Sequence, residues 1–409
     1  LKRIAKRRRF WKIFGNFGIV FCFAMMFLMI AMLVWQAWFV FGFTPEQKEM
    51  LPGPEFALPF PGINPVLPLE HAVYILLALV VAVVVHEFSH GILTFASKLK
   101  VKSLGILYFV VPLGAFCEPD EKQLLKTKDT NRMRIFAAGP TMNFAVVFIS
   151  ILLFSLIFMS SVQLPNDGVC ILSVGKNTPA EKIGLASGMI LTHINDTEVT
   201  NVTEFFYAME QTRSNQTINI SYAKSDTIYN KNVTLADKYE EYSKRNYTNN
   251  ESYISKGYIG IGPSDMGISK RYLDILKNPF THFPNDFLYF YSLPFLGYLT
   301  GYNPIVSPFV DFYVIEGAID FIPNNIFWII VNAIYWIFWL NLAVALFNVL
   351  PAVPLDGGYL FKDGVNLSLK RIRRDLSDEK RKKIVGNISL ITSLLILSLI
   401  VFPFLVKYF

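Results

Sequence analysis

Charge, cysteine and histidine are all scarce in this chain, and each shortage removes a class of protein. Only 17% of the 409 residues are charged, while 53% are hydrophobic and 15% aromatic. An ordinary soluble domain carries more charge than that, so the composition belongs to a polytopic membrane protein. The three cysteines, Cys22, Cys117 and Cys170, fall in segments of different character without a CxxC pair. Neither a disulfide framework nor a thiolate zinc site is expected. The net charge of +7 is small, and its basic residues cluster in short segments beside apolar runs. There they attract anionic lipid headgroups and set orientation, so no nucleic-acid partner is expected. Histidine is limited to His71, His86, His90, His193 and His282.

Long apolar runs are what the chain has in abundance. They cover about 15 to 43, 71 to 97, 134 to 160, 324 to 350 and 386 to 407, and each reaches the ~20 residues that span a bilayer. The first follows the basic segment LKRIAKRRRFWK. It is longer than the ~15 residues of a signal-peptide core and lacks a small-x-small cleavage pattern, so it reads as a retained helix. The sequence begins at Leu1 and not at methionine, as expected if a few N-terminal residues are missing. Lys and Arg concentrate in the N-terminus, the 98 to 134 loop and the 362 to 383 loop. Five spans put all three on one side, the cytoplasmic one. The 44 to 70 segment, with four glutamates and one lysine, and the 162 to 320 region then lie outside the cell membrane. Seven N-x-S/T sequons between Asn195 and Ser252 agree with that side, although an Asn-rich stretch generates such matches easily.

Fourteen apolar residues, Ala72 to Val85, run directly into His86-Glu87-Phe88-Ser89-His90. A charged group near the bilayer centre costs on the order of 2.5 kcal/mol or more, which makes function the default explanation. On a helix His86 and His90 stand at i and i+4 on one face, suiting two imidazoles that share a zinc ion. Glu87 is offset from that pair and can act on a zinc-bound water without being a ligand. Histidines that only bond neighbouring helices are the plainer reading. It leaves unexplained three fixed positions in a setting that excludes such residues.

A catalytic zinc site normally has three protein ligands and one open position. His71 lies roughly 22 Å up the same helix, and His193 and His282 fall in the outside region, so a carboxylate is the expected third ligand. Leu93 and Ala96 exclude the metzincin continuation. Asp356, in NVLPAVPLDGG after the fourth run, stands where Pro351 and Pro354 break the helix. Gly357 and Gly358 permit positive φ, so the backbone can turn the carboxylate sideways. A loop merely capped by Asp356 is the bland alternative, and Glu118 is an alternative ligand.

Two resemblances follow. Within residues 165 to 265, GVCILSVGKNTPAEKIGLASGMILTHINDTEVTNVTEFFYAM reads as strand, short helix from Pro179 to Gly184, strand, turn at Asn195-Asp196 and second helix. It resembles a PDZ domain, which implies binding of extended peptide segments by strand addition. HEFSH, GPTMN and NLAVALFNVLPAVPLDGG occur in the order seen in site-2 proteases, the intramembrane zinc metalloproteases, and the chain is similar to their prokaryotic, archaeal members. That resemblance implies His86, His90 and Asp356 as ligands of one Zn2+ per chain, with Glu87 activating water. It also points to Asn143 and Asn348, and more weakly to Asn341, as polar residues facing the site. Zinc would lower its water's pKa toward ~7, Glu87 would carry the proton to the leaving amine, and an asparagine would donate to the oxyanion.

The expected architecture is a polytopic α-helical membrane protein of about five to six transmembrane helices with an inserted α+β PDZ-like domain. Residues 1–44 form the basic N-terminus and first helix, and 45–70 a Pro-rich outside segment. Residues 71–161 and 324–365 are the two parts of the catalytic membrane core, and 162–265 the PDZ-like extracytoplasmic domain. Residues 266–323 are an aromatic interfacial or re-entrant segment, and 366–409 a basic cytoplasmic loop and last helix. His86 stands about eleven residues, roughly 17 Å, inside the cytoplasmic end of its helix. The expected substrates are transmembrane or membrane-tethered proteins, unwound locally; the resemblance implies a membrane-associated sheet at LGILYFVVPLGAFCEPD that offers them a strand edge, and a simple cytoplasmic loop is the alternative. A catalytically silent PDZ-bearing receptor or chaperone is disfavoured by the intact Glu87. A zinc transporter is disfavoured because the first, third and fifth runs contain no Asp, Glu or His.

Overall fold

The computed structural model describes residues 1–408 except 109–111, 165–166, 225–226, 246–249 and 302, with only the backbone of 106–108 and 112–114. Part of the expected strand segment between the second and third runs, and the sequon at Asn246, therefore lie outside the described residues. In chain order the elements that matter here begin with α1 (Arg8–Phe41), α2 (Ala72–Ala96), β1 (Val101–Tyr108), β2 (Pro112–Pro119) and α3 (Asp129–Ile151). Next come β3 (Val169–Val174), α4 (Pro179–Lys182), β4 (Ile190–Ile194), α5 (Val202–Glu210), β5 (Thr217–Lys224), β6 (Thr227–Thr234) and β7 (Ile261–Asp265). The chain ends with α6 (Met266–Lys277), α7 (Asn285–Tyr291), α8 (Leu293–Thr300), α9 (Asn324–Asn348), α10 (Asp356–Ile372) and α11 (Asp378–Val406). These fall into two units, Leu1–Ile151 with Ala333–Phe409, and Leu152–Asn332.

Among the described residues five helical stretches are long and apolar enough to cross a membrane: Arg8–Phe41, Leu69–Ala96, Asp129–Ser161, Asn324–Asn348 and Asp378–Val406. A helix satisfies its backbone polar groups internally, which is why apolar sequence of this length takes that form in lipid. Large apolar side chains such as Phe27, Trp35, Trp38, Leu390 and Leu394 point outward and stay exposed, as lipid-facing positions should.

In the first unit one core joins Ala5 and Trp11 to Ile92, Leu93 and Ala96 of α2 and Ile135 and Ala138 of α3. A second gathers Cys22, Met26, Met133, Ala137, Val349 and Leu360. At the start of α3 the Arg132 guanidinium donates to both oxygens of Asp363 on α10, at 3.0 and 2.7 Å. Arg132 also donates to Asp129 at 2.5 Å, and Lys370 reaches the other Asp129 oxygen at 2.7 Å. This largely buried fork ties α10 to α3.

In the second unit an antiparallel sheet runs in the order β7-β3-β4-β5-β6. Along β5 the pleat turns Ile218, Ile220 and Tyr222 inward, where they pack with Val169, Ile171 and Leu191, and with Phe205 and Met209 of α5. Asn201 caps α5 by accepting from the Glu204 N–H at 2.9 Å. The short helix expected from Pro179 to Gly184 spans Pro179–Lys182. Among the described residues the aromatic segment after the sheet forms three short α-helices and a 3-10 turn, Phe309–Phe312; the longest, α6, has 12 residues, below the length of a span. In the first turn of α7 Asp286 is buried, accepting from Arg271 at 2.8 Å and from His282 Nδ1 at 2.9 Å.

Candidate metal centre

Helix periodicity does what the spacing of HEFSH predicts. His86 and His90 lie on one face of α2, ring centroids 4.8 Å apart, and both are buried. Their Nε2 atoms converge on a single oxygen, Asp356 Oδ2, at 2.8 and 3.1 Å. The donor atoms of His86, Glu87 and His90 lie within 4.8 Å of one another. His90 is oriented by its other nitrogen, since Nδ1 lies 2.7 Å from the Ile135 carbonyl of α3. That bond requires a proton on Nδ1 and leaves the Nε2 lone pair for a metal. His86 Nδ1 is buried without a protein partner.

Asp356 arrives through a break in the chain. α9 stops at Asn348, and the segment holding Pro351 and Pro354 leads into α10, whose first residue is Asp356. A helix N-terminus favours a carboxylate. The expected role of Gly357 and Gly358 is corrected here, because neither is among the positive-φ glycines. They serve close approach instead: a Cβ on Gly357 would strike the Val349 carbonyl, and one on Gly358 would stand 2.5 Å from the Ala352 carbonyl carbon. The doubled-back chain needs both positions bare.

The donor set fits a zinc ion. Two imidazole nitrogens and a carboxylate oxygen need only spread to the roughly 3.3 Å edge of a tetrahedral site with ~2.0 Å bonds. Room for this is provided by Gly139 of α3. A Cβ there would lie 2.5 Å from His86 Nε2 and 2.6 Å from His90 Nε2.

The other expected residues are placed as follows. Glu87 is half-buried, and its Oε2 accepts from the Cys117 N–H of β2 at 2.9 Å. Asn143 stands one turn beyond Gly139 on the same face of α3, fully buried, with both amide atoms unpartnered. GPTMN thus lies about 15 Å into α3, at its middle and not its start. Asn348 is half-buried and donates to its own helix at Val344, 3.1 Å. Asn341 is fully buried and donates to Ile337 at 2.7 Å, leaving Oδ1 unpartnered. Glu118 is half-exposed and turns to Lys102 at 2.8 Å and Ser103 at 2.5 Å. Those bonds hold its carboxyl below the usual range, and they turn it away from the histidines. His71 is not at the centre either, for its Nδ1 accepts from Trp336 Nε1 at 3.0 Å. Gly139, the Ile135 carbonyl and the Cys117 N–H were not legible as site elements. Only the glycine left a signal, as the first residue of GPTMN.

Two imidazoles, a converging carboxylate and an adjacent glutamate, on helices long and apolar enough to cross a membrane, form a candidate metallopeptidase centre. The sequence pattern of Peptidase family M50 matches residues 74–396, and the chain belongs to that family, the site-2 proteases. An uncharacterized protein of Methanocaldococcus jannaschii is 25% identical over 80% of this chain and 68% of its own length. A protein of Clostridium acetobutylicum, provisionally named a zinc metalloprotease, is 26% identical over 41% of this chain and 54% of its own. The PDZ domain of an SdrC-like protein from Listeria monocytogenes aligns with 25% of this chain and 92% of that domain, at 19% identity and a TM-score of 0.19. That overlap is too slight to argue from.

Proposed function

We propose that this chain is an intramembrane zinc endopeptidase that hydrolyses peptide bonds within transmembrane segments of membrane-tethered proteins. The observation carrying this reading is the convergence of His86, His90 and Asp356 beside Glu87. It occurs ten residues, about 15 Å, from the C-terminal end of a membrane-length helix. His86, His90 and Asp356 hold the ion, which when bound supplies the Lewis acidity that makes water nucleophilic at neutral pH. Glu87 takes the proton from water and returns it to the leaving amine. Asn143, buried with free amide hydrogens one turn from Gly139, donates to the developing oxyanion. Asn348 plays the lesser part, since its amide is engaged by its own helix.

The basic segments around 1–12, 98–134 and 362–383 face the cytoplasm, so cleavage falls in the cytoplasmic half of the substrate helix. The α+β unit lies on the opposite side and, as a PDZ-like domain, captures extended peptide. The test is purification with metal analysis, and Glu87→Gln against wild type on a panel of single-span substrates. Zinc bound at one per chain with cleavage only by wild type supports the reading. Unchanged cleavage by Glu87→Gln sinks the mechanism, and bound zinc without cleavage by either protein favours a silent receptor.

A further inference from the structure

Glu87 is engaged by an element that the proposed hydrolysis does not need to involve it with: the outer edge of a β-strand. Its carboxylate accepts the backbone N–H of Cys117 at 2.9 Å. In the β1–β2 hairpin Cys117 lies opposite Leu104. In an antiparallel ladder the N–H and C=O of one residue point the same way, either toward the partner strand or away from it. The Cys117 N–H goes to Glu87, so this is a non-hydrogen-bonded pair, and Cys117 presents both groups on the free edge of β2. The contact is reinforced one helical turn on, where Gly91 meets the same residue. A Cβ at Gly91 would stand 3.2 Å from Cys117 Sγ. Glu87 and Gly91 therefore form one face of α2 on which the strand edge is closed.

A free strand edge is where an extended peptide docks, by taking up the outward N–H and C=O groups. One N–H does not serve both a carboxylate and an incoming strand at full strength. We propose that Glu87 is a latch as well as a base: in the resting protein it caps the edge of β2 at Cys117, and a peptide strand adding to that edge displaces it. The displaced carboxylate is then free to take up water. Exchange of one hydrogen bond thus couples substrate pairing to release of the base, and a resting protein keeps its base occupied. This rests on the protease reading above.

The test uses the full chain in detergent, stripped of metal by chelation so that cleavage does not intervene. The probe is a fluorescent single-span Leu/Ala peptide with a central Gly-Pro break, followed by anisotropy, with amide exchange of residues 115–119 read by mass spectrometry. Glu87→Ala should bind the probe roughly tenfold more tightly than wild type, since a competing charge-assisted bond is gone. Its Cys117 amide should exchange faster without probe and be protected again with it. Glu87→Gln, whose amide oxygen still accepts but without the charge, should fall between wild type and Glu87→Ala. Gly91→Cys adds an arm in the opposite sense. The 3.2 Å approach is close to the about 3 Å from Cβ to the far sulfur in a disulfide, so oxidation with native Cys117 should lock the edge shut. Binding should then be lost and return with reductant. Equal affinity of Glu87→Ala and wild type overturns the latch, as does undiminished binding by the oxidised Gly91→Cys protein. A wild-type protein that binds no probe, and with zinc restored cleaves none, overturns the protease reading and the latch together.

Discussion

Gly139→Ala is a one-methyl perturbation aimed at the proposed metal site, at a residue that is not itself a ligand. The added carbon would lie 2.5 Å from His86 Nε2, 2.6 Å from His86 Cε1 and 2.6 Å from His90 Nε2. Ordinary non-bonded contacts begin near about 3.5 Å, so the two ring nitrogens or α3 itself must give way by about 1 Å. Zinc–nitrogen bonds tolerate only about ±0.2 Å. His90 has little freedom to swing aside, because its Nδ1 is held by the Ile135 carbonyl of the same helix that carries the methyl group. A loss of 10- to 100-fold in zinc affinity, about 1.4 to 2.7 kcal/mol, is therefore expected, with cleavage falling in proportion. The assay is zinc content after equilibration against graded chelator, with helicity and thermal unfolding of the metal-free protein as the fold check. Gly386→Ala is the control: nothing lies within 4 Å of its added carbon. It should leave zinc affinity unchanged and raise stability by about 0.5–1 kcal/mol. Wild-type zinc affinity in Gly139→Ala would refute the placement of the metal between the two histidines and α3.

Asp356→Asn should weaken zinc binding by at least 10-fold while Glu118→Gln leaves it unchanged, because only Asp356 reaches the imidazoles; the reverse ranking in a chelator titration would exchange their roles. Asp363→Ala removes one of the two carboxylates paired with the mostly buried Arg132, leaving Asp129, and should cost about 2 kcal/mol of stability. Since the same pair ties α10 to α3, zinc affinity should fall too, and calorimetry beside metal analysis separates the two effects. Asp286 is held below the usual carboxylate range by the hydrogen bond from His282 and the Arg271 guanidinium. A lowered folded value means the unfolded chain binds the proton more readily, so this stability is present above the unfolded value of about 3.9. It is lost as pH falls through the folded value. The melting temperature should drop on acidification from about pH 5 to about pH 2 in wild type and less steeply in Asp286→Asn, and parallel curves would remove Asp286 from the account.

The placement of the candidate groups was legible wherever it depended on local spacing. Two histidines four residues apart share a helix face whatever the rest of the chain does, and apolar runs of span length have one way to satisfy their backbone in lipid. The tandem prolines before Asp356 likewise announced a break between two helices. Spacing said less about the glycines after it. Gly357 and Gly358 invited a reading of unusual φ, whereas they are helical and bare because the preceding carbonyls press against them.

What only the tertiary structure decided lies between segments. Glu118 and Asp356 were equally acidic on paper, and folding turned one toward Lys102 and Ser103 and brought the other, 270 residues beyond His86, to both imidazoles. Gly139 became part of the site because α3 crosses α2 there, and Glu87 met Cys117 because β2 closes on the same helix face. The sequence by itself determined which groups are costly to bury and which local faces they share, since those follow from covalent spacing and solvation. Which groups meet was decided by the packing of helices and strands, a property of shape summed over the whole unit that no window of residues contains.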